Sequence, residues 1–185
     1  MTYSVDEKKL LLKAASQSIH FGLRQHDVME VSLEQYPKAF QQLRASFVTL
    51  TIEKQLRGCI GSLEAYQPLI ADVIHNAYSA AFQDPRFYPL TEKEYPRIHI
   101  HISVLSQPEP MRFQSEEDLI QQLRPSVDGL ILTERDYRGT FLPSVWESLP
   151  DRKQFLAQLK IKAGLPQDYW SSSVTVDRYT AESIE

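Results

Sequence analysis

Residues 45–63 read ASFVTLTIEKQLRGCIGSL, and this stretch decides how the chain is organised. Ala45 to Ile52 is rich in Phe, Val, Thr, Leu and Ile, Glu53-Lys54-Gln55 supplies a polar turn, and Leu56 to Leu63 resumes the apolar run. Two antiparallel strands joined by a short loop follow from that pattern. Gly58 and Gly61 interrupt the second strand, and glycine inside a strand marks a bulge or a place where another group must approach the backbone. Pro68 then opens a helix whose apolar face carries Ile70, Val73, Ile74, Ala77, Tyr78 and Ala81, until Asp84-Pro85 stops it.

Upstream, Ser4 and Glu7 have the spacing of a capping box, and Leu11, Leu12, Ala15, Ile19 and Leu23 recur at helical intervals, which predicts an amphipathic helix from residue 5 to about 25. Val28 to Pro37 reads as a loop. Downstream, Thr91 and Glu94 repeat the capping-box spacing, Ile98 to Leu105 reads as a strand, and Gln107 to Pro110 as a proline-marked connector. Ser115 with Asp118 opens a third helix through Leu123. Strands follow at about Gly129 to Thr133 and Arg138 to Leu142, then a helix capped by Asp151 and ended by Gly164 and Pro166, then a strand from Val174 to Tyr179.

The second half echoes the first. Leu50-Thr51-Ile52-Glu53, Arg57-Gly58, an apolar strand, Pro68 and a helix are matched by Ile131-Leu132-Thr133-Glu134, Arg138-Gly139, an apolar strand, Pro150 and a helix. The offset is 81 residues at the Arg-Gly pairs and 82 at the prolines. This predicts duplicated strand and helix units, at about 45–105 and 127–182, which bury their apolar faces in a single α+β core with a largely antiparallel sheet.

Composition narrows the function. The 185 residues hold 20 Lys and Arg against 24 Asp and Glu, a net charge of −4, which argues against a nonspecific nucleic-acid binder relying on clustered cations. No stretch approaches the ~20 apolar residues of a membrane span, and the N-terminus lacks a basic-then-apolar leader pattern, so the expected location is cytoplasmic, with no membrane partner. A single cysteine, Cys59, excludes an intrachain disulfide and a zinc site of several thiolates. Phosphate-binding glycine loops, His-Glu-x-x-His and Gly-x-Ser-x-Gly are all absent from the sequence, and no cofactor is indicated.

The hexapeptide Leu56-Arg57-Gly58-Cys59-Ile60-Gly61 carries the most chemical information. Strand alternation points Arg57 and Cys59 to one face, where a guanidinium favours the nucleophilic thiolate. Gly58 and Gly61 leave backbone N–H groups approachable by a ligand. The other reading makes Cys59 a small buried hydrophobe. Asp84-Pro85-Arg86-Phe87 is either a surface helix stop or places Arg86, with Asp84, at the mouth of a cleft for an anion. His99 and His101 share one face of a strand but complete no metal site, so no metal is expected.

These residues, taken with Pro68-Leu69, Asp72-Val73, Ala80-Ala81-Phe82, Ser103-Val104-Leu105, Asp128-Gly129-Leu130, Phe141-Leu142-Pro143 with Val145-Trp146, and Lys162-Ala163-Gly164-Leu165, resemble the AMMECR domain family in its own motif order, from about residue 5 to the C-terminus. Its prokaryotic members are called AmmeMemoRadiSam system protein A. The resemblance implies one domain over residues 1–185, with a barrel-like sheet flanked by helices and built from duplicated units. It also implies a setting among Memo-like and radical SAM proteins, and supplies no established reaction.

Two functions are therefore carried forward. One is a cleft-bearing component of a modification pathway acting with the Memo-like and radical SAM proteins, with Cys59 as the reactive group, Arg57 as the anion-holding group, and Gly58, Gly61, Asp84 and Arg86 also around an unidentified small-molecule ligand. The other is a non-catalytic binding or scaffold module for the same partner proteins.

Overall fold

The computed structural model describes residues 2–185. Its helices are α1 (Val5–Gln25), α2 (Leu69–Phe82), α3 (Glu116–Gln122) and α4 (Arg152–Lys162). Its strands are β1 (Ser46–Ile52), β2 (Gln55–Gly61), β3 (His99–Leu105), β4 (Glu109–Pro110), β5 (Gly129–Glu134), β6 (Tyr137–Phe141), β7 (Thr175–Tyr179) and β8 (Ala181–Ile184). The strands form two four-stranded sheets, in the orders β2-β1-β3-β8 and β6-β5-β7-β4. Two compact units result, Met1–Ser106 with Glu182–Glu185, and Gln107–Ala181.

The expected barrel-like sheet is corrected by this arrangement: each sheet has two free edges and neither closes. Each hairpin instead buries its apolar face against helices of its own unit. In the first unit, Leu11, Ala15 and Ile19 of α1 and Val73, Ile74 and Ala77 of α2 meet Val48, Leu50, Ile102 and Val104 of the sheet. A separate core in the second unit joins Leu119 of α3 and Phe155, Leu156 and Leu159 of α4 to Leu130, Leu132 and Val176. There Trp146 stacks on Phe155 with ring centroids 3.7 Å apart. With two cores, each covered by its own helices, no ladder of hydrogen bonds runs around a common axis.

The local signals act as the sequence predicts. Ser4 and Glu7 form the reciprocal capping box of α1, Ser115 accepts from the Asp118 amide at α3, and Asp151 from the Gln154 amide at α4. Gly164 follows α4 with φ +90°, a left-handed conformation that glycine adopts without strain. Pro68 is the residue before α2 rather than its first helical position. Two strands escaped the sequence reading. The proline connector contains β4, which pairs with β7, and the C-terminal β8 lies beside β3.

Each hairpin's first strand is flanked by its partner and by the strand that returns after the helix, giving β2-β1-β3 and β6-β5-β7. The hairpins differ by one residue. Thr51 pairs with Leu56 and Leu50 with Gly58, so Arg57 is an extra residue in a β-bulge, whereas the β5/β6 register runs without interruption from Glu134↔Tyr137 to Leu130↔Phe141. The strands before the two turns therefore correspond at 82 residues, Thr51 with Thr133, and not at the 81 read from the sequence. The bulge also sets the face on which Cys59 emerges. A one-residue slip reverses every side chain of a strand, so after the bulge Gly58 faces α2 and Cys59 sits opposite Thr49 on the other face.

Gly58 allows β2 to close on α2: a Cβ there would lie 2.0 Å from the Ala80 carbonyl oxygen. At Gly139 a Cβ would lie 2.7 Å from the Ala163 nitrogen, at the end of α4. The substitution Gly58→Ala is expected to destabilise the protein by about 3 kcal/mol or more, since backbone must move to admit the methyl group. Urea unfolding measures this, and a loss below about 1 kcal/mol would show that β2 does not need this close approach.

Candidate functional site

The segment leaving α2 turns back onto the free edge of β2. The Cys59 N–H donates to Asp84 Oδ2 at 2.9 Å, and Arg86 Nη2 donates to the Cys59 carbonyl at 3.2 Å. Both main-chain groups of Cys59 thus point away from β1 and are met by side chains where a further strand would otherwise pair. Arg86 also grips the carboxylate with two nitrogens, Nε to Oδ1 at 2.9 Å and Nη2 to Oδ2 at 2.7 Å. Asp84 is buried and Arg86 half exposed. The Arg86 guanidinium is the main cause that holds the Asp84 carboxyl well below the usual carboxylate range, with the Cys59 and Arg86 amides adding to it against the opposing effect of burial. In return Asp84, and to a smaller degree Cys59, push the Arg86 pKa up.

Arg57, the bulge residue, turns to a different carboxylate. Its Nε and Nη2 reach Glu94 at 2.8 and 3.2 Å, and Nη2 also donates to the Tyr88 carbonyl at 3.0 Å. Thr91 donates to Glu94 through its amide and its hydroxyl, so the spacing read as a capping box also builds an arginine socket. The Phe87 ring is shared by both cations, with Arg57 and Arg86 Cζ at 5.9 and 5.6 Å from its centroid. Arg57 and Arg86 thus flank one aromatic ring, each ion-paired, and it is Arg86 that contacts the Cys59 backbone.

The Cys59 thiol is half-buried and lies 3.2 Å from the Thr49 hydroxyl. In sheet register the row continues from Thr49 to His101, whose Nε2 lies 2.6 Å from Ser183 Oγ on β8. At Gly58 and Gly61 the group that approaches is the protein's own: the Ala80 carbonyl at the first, and the Phe47 ring and Ser46 carbonyl at the second. Among the described residues, no group of three or more His, Cys, Asp or Glu side chains is arranged to hold a metal ion, so His99 and His101 gain no third ligand from that set.

Sequence reasoning missed three contributors. Glu94 was read only as a cap because its partner is 37 residues away. Thr49 is found only once the bulge is known. Asp72, fully buried in α2, accepts from the Ser46 amide and hydroxyl, Ser62, Gln67 and Asn76, which fastens the start of α2 to β1 and to the residue after β2. Asp72 stands off the apolar face formed by Ile70, Ile74, Ala77 and Ala81, so helical spacing does not mark it as buried.

Arg57, with Thr91 assisting, lowers the Glu94 carboxyl from 4.5 to about 2. A carboxyl depressed on folding contributes stability that is fully present above its unfolded value, near pH 4.5, and is lost as the pH falls towards 2. Glu94→Gln is therefore expected to be less stable than the parent at pH 7, with the difference shrinking below about pH 4.5 and nearly gone near pH 2. Urea titrations across that range measure it, and a pH-independent difference would contradict the ion pair's role.

Comparison with known proteins finds relatives of the whole chain. The family model AMMECR1 matches residues 12–184. A protein of Methanothermobacter thermautotrophicus is 38% identical over 185 residues, covering 97% of this chain and 94% of its own length. A protein of Methanocaldococcus jannaschii is 37% identical over 164 residues, covering 84% of this chain and 80% of its own. The crystal structure of an uncharacterized protein from Pyrococcus horikoshii superposes with a TM-score of 0.87 at 31% identity, covering 96% of this chain and 90% of that one. The chain belongs to the AMMECR1 family.

Proposed function

We propose that this protein is a cleft-bearing component of a modification pathway, acting with Memo-like and radical SAM proteins, and that Cys59 is its reactive group. The observation that carries this reading is the treatment of the chain's one cysteine. Its backbone is held on both sides by Asp84 and Arg86, its side chain is only half-buried, and the Arg86 cation lies beside it. A merely buried cysteine needs no such frame; a reactive thiol gains from fixed geometry and an adjacent positive charge. Arg57, Gly58 and Gly61 enter as positioning residues, since they set the bulge and the close packing that aim Cys59. Arg86 is the candidate anion-holding group for a small-molecule ligand, and the cytoplasm is the compartment that keeps a lone thiol reduced. No helix among the described residues is long and apolar enough to cross a membrane.

A second reading is a binding or scaffold module for the same partners. It is favoured by the pairing of Arg57 with Glu94 and of Arg86 with Asp84, which makes a rigid surface without an acid or base in contact with the thiol. The duplication inferred from the sequence belongs with either reading. The shared orders β2-β1-β3 and β6-β5-β7 support it, as does the placement of β4 with β7 and of β8 with β3, which amounts to an exchange of fourth strands.

Alkylation of Cys59 against pH tests the first reading. The folded protein is expected to be alkylated by pH about 9, where an ordinary exposed thiol is largely ionised, and a thiol still inert there would remove the reactive role. Cys59→Ser, followed by pull-down of the Memo-like and radical SAM proteins and by pathway output, separates the two functions. Retained binding with lost output supports chemistry; lost binding supports the module.

A further inference from the structure

A cavity of about 300 Å³ lies in the second unit, lined by Glu134, Arg135, Tyr137, Gly164, Leu165, Pro166 and Tyr169. Its composition is unusual for its size: a buried carboxylate among two tyrosines, a leucine and a proline. Glu134 is 2% exposed. The hydrogen bonds to its carboxylate come from neutral hydroxyls, with Oε1 accepting from Ser173 at 2.8 Å and from Tyr169 at 3.2 Å, and Oε2 accepting from Ser171 at 3.2 Å. These bonds, Ser173 foremost, hold the carboxyl below its usual range, so it is ionised at neutral pH. The Arg135 Nε stands 3.7 Å from Oε1 on a side chain that is 80% exposed. That is a loose pairing by a mobile type of side chain, beyond hydrogen-bond distance.

The walls suit the alkyl part and the charge of a cation. The Tyr137 ring lies over Gly164, where a Cβ would come 3.1 Å from ring Cδ1, and its other side is open, since the residue is 49% exposed. Aromatic faces and a desolvated carboxylate together favour organic cations over neutral molecules of the same shape. A buried carboxylate whose hydrogen-bond donors are all neutral leaves most of its negative charge for a ligand.

We propose that this cavity binds an organic monocation, an alkylammonium or alkylguanidinium group, with its charge on the Glu134 carboxylate, its alkyl part against Tyr137, Leu165, Pro166 and Tyr169, and Arg135 displaced. The site is separate from Cys59 and independent of the function proposed above. The same chemistry is offered by a free small amine and by a lysine or arginine side chain of another protein.

Titration of the full-length protein with n-butylammonium and n-butylguanidinium, followed by amide shifts of Gly164, Leu165 and Tyr169, tests the proposal, with n-butanol as the neutral control. Saturable shifts are expected for the cations and none for the alcohol. Glu134→Gln is expected to weaken binding about tenfold or more, and Arg135→Ala to tighten it about threefold, because one removes the counter-charge and the other a competitor. Capped Gly-Lys-Gly and Gly-Arg-Gly peptides distinguish the sources. Peptides binding more tightly than the free cations point to a protein side chain, and the reverse order to a free amine. Equal binding of n-butanol, absence of saturation at tens of millimolar, or weaker binding by Arg135→Ala would overturn the proposal. Should Glu134→Gln fail to fold, Arg135→Ala and Tyr137→Ala carry the test, with the second expected to weaken binding severalfold.

Discussion

A carboxylate after α2 and a guanidinium two residues further on occupy the hydrogen-bonding groups of one residue at the edge of a sheet. An unpaired sheet edge exposes a row of N–H and C=O groups, a liability that proteins cover with charge, bulges or other chain segments. Here Asp84 and Arg86 stand in for a neighbouring strand at Cys59, meeting its N–H and its C=O at once. The ion pair and the strand edge complete each other, since the Asp84 oxygen that accepts the Cys59 amide is also bound by Arg86.

The rest of the first unit follows from fastening one helix to one hairpin at both ends. At the start of α2, Asp72 holds Ser46 and Ser62, which lie at the beginning of β1 and just past β2. After the end of α2, Asp84 holds Cys59. Between these two carboxylates the helix and strand must lie in contact, and Gly58 against the Ala80 carbonyl is the point where that contact is closest. The bulge at Arg57 reconciles this packing with hairpin register, placing a glycine towards the helix and the thiol away from it. Arg57, displaced from the ladder, finds its partner in the Thr91–Glu94 turn instead. Motif residues that look like a catalytic set in sequence thus divide into those that shape the backbone or pair away from the thiol, Arg57, Gly58 and Gly61, and Cys59, whose half-buried thiol meets Thr49.

Much of this was legible in the residues. The capping box at Ser4, the Asp151 cap, Gly164 after α4 and the glycines within β2 each act over a few residues, where local chemistry is decisive. Cys59, Asp84 and Arg86 were each candidates in the sequence, but nothing in their spacing brought them together, and their relation is through the Cys59 main chain. Less legible was whatever depends on distant pairing. Strand β4 is two residues long and contains a proline, and β8 joins β3 across about 80 residues of chain, so neither carries a periodic pattern to read. The barrel-like sheet was what the family resemblance implied, and these two distant pairings complete two separate four-stranded sheets instead. The bulge did leave a trace in the 81 and 82 offsets between the two similar stretches of sequence, which only the strand register could interpret. Glu94, Thr49 and Asp72 gained their significance from three-dimensional neighbours alone.

Amide hydrogen exchange at Cys59 is the most direct test of the claim that side chains complete this sheet edge. The account predicts a Cys59 N–H protected like the interior amides of β1, although it lies on the outer edge of β2, with that protection lost selectively in Asp84→Ala while the β1/β3 ladder stays protected. A Cys59 amide that exchanges in the parent protein as fast as an unpaired edge amide would contradict it.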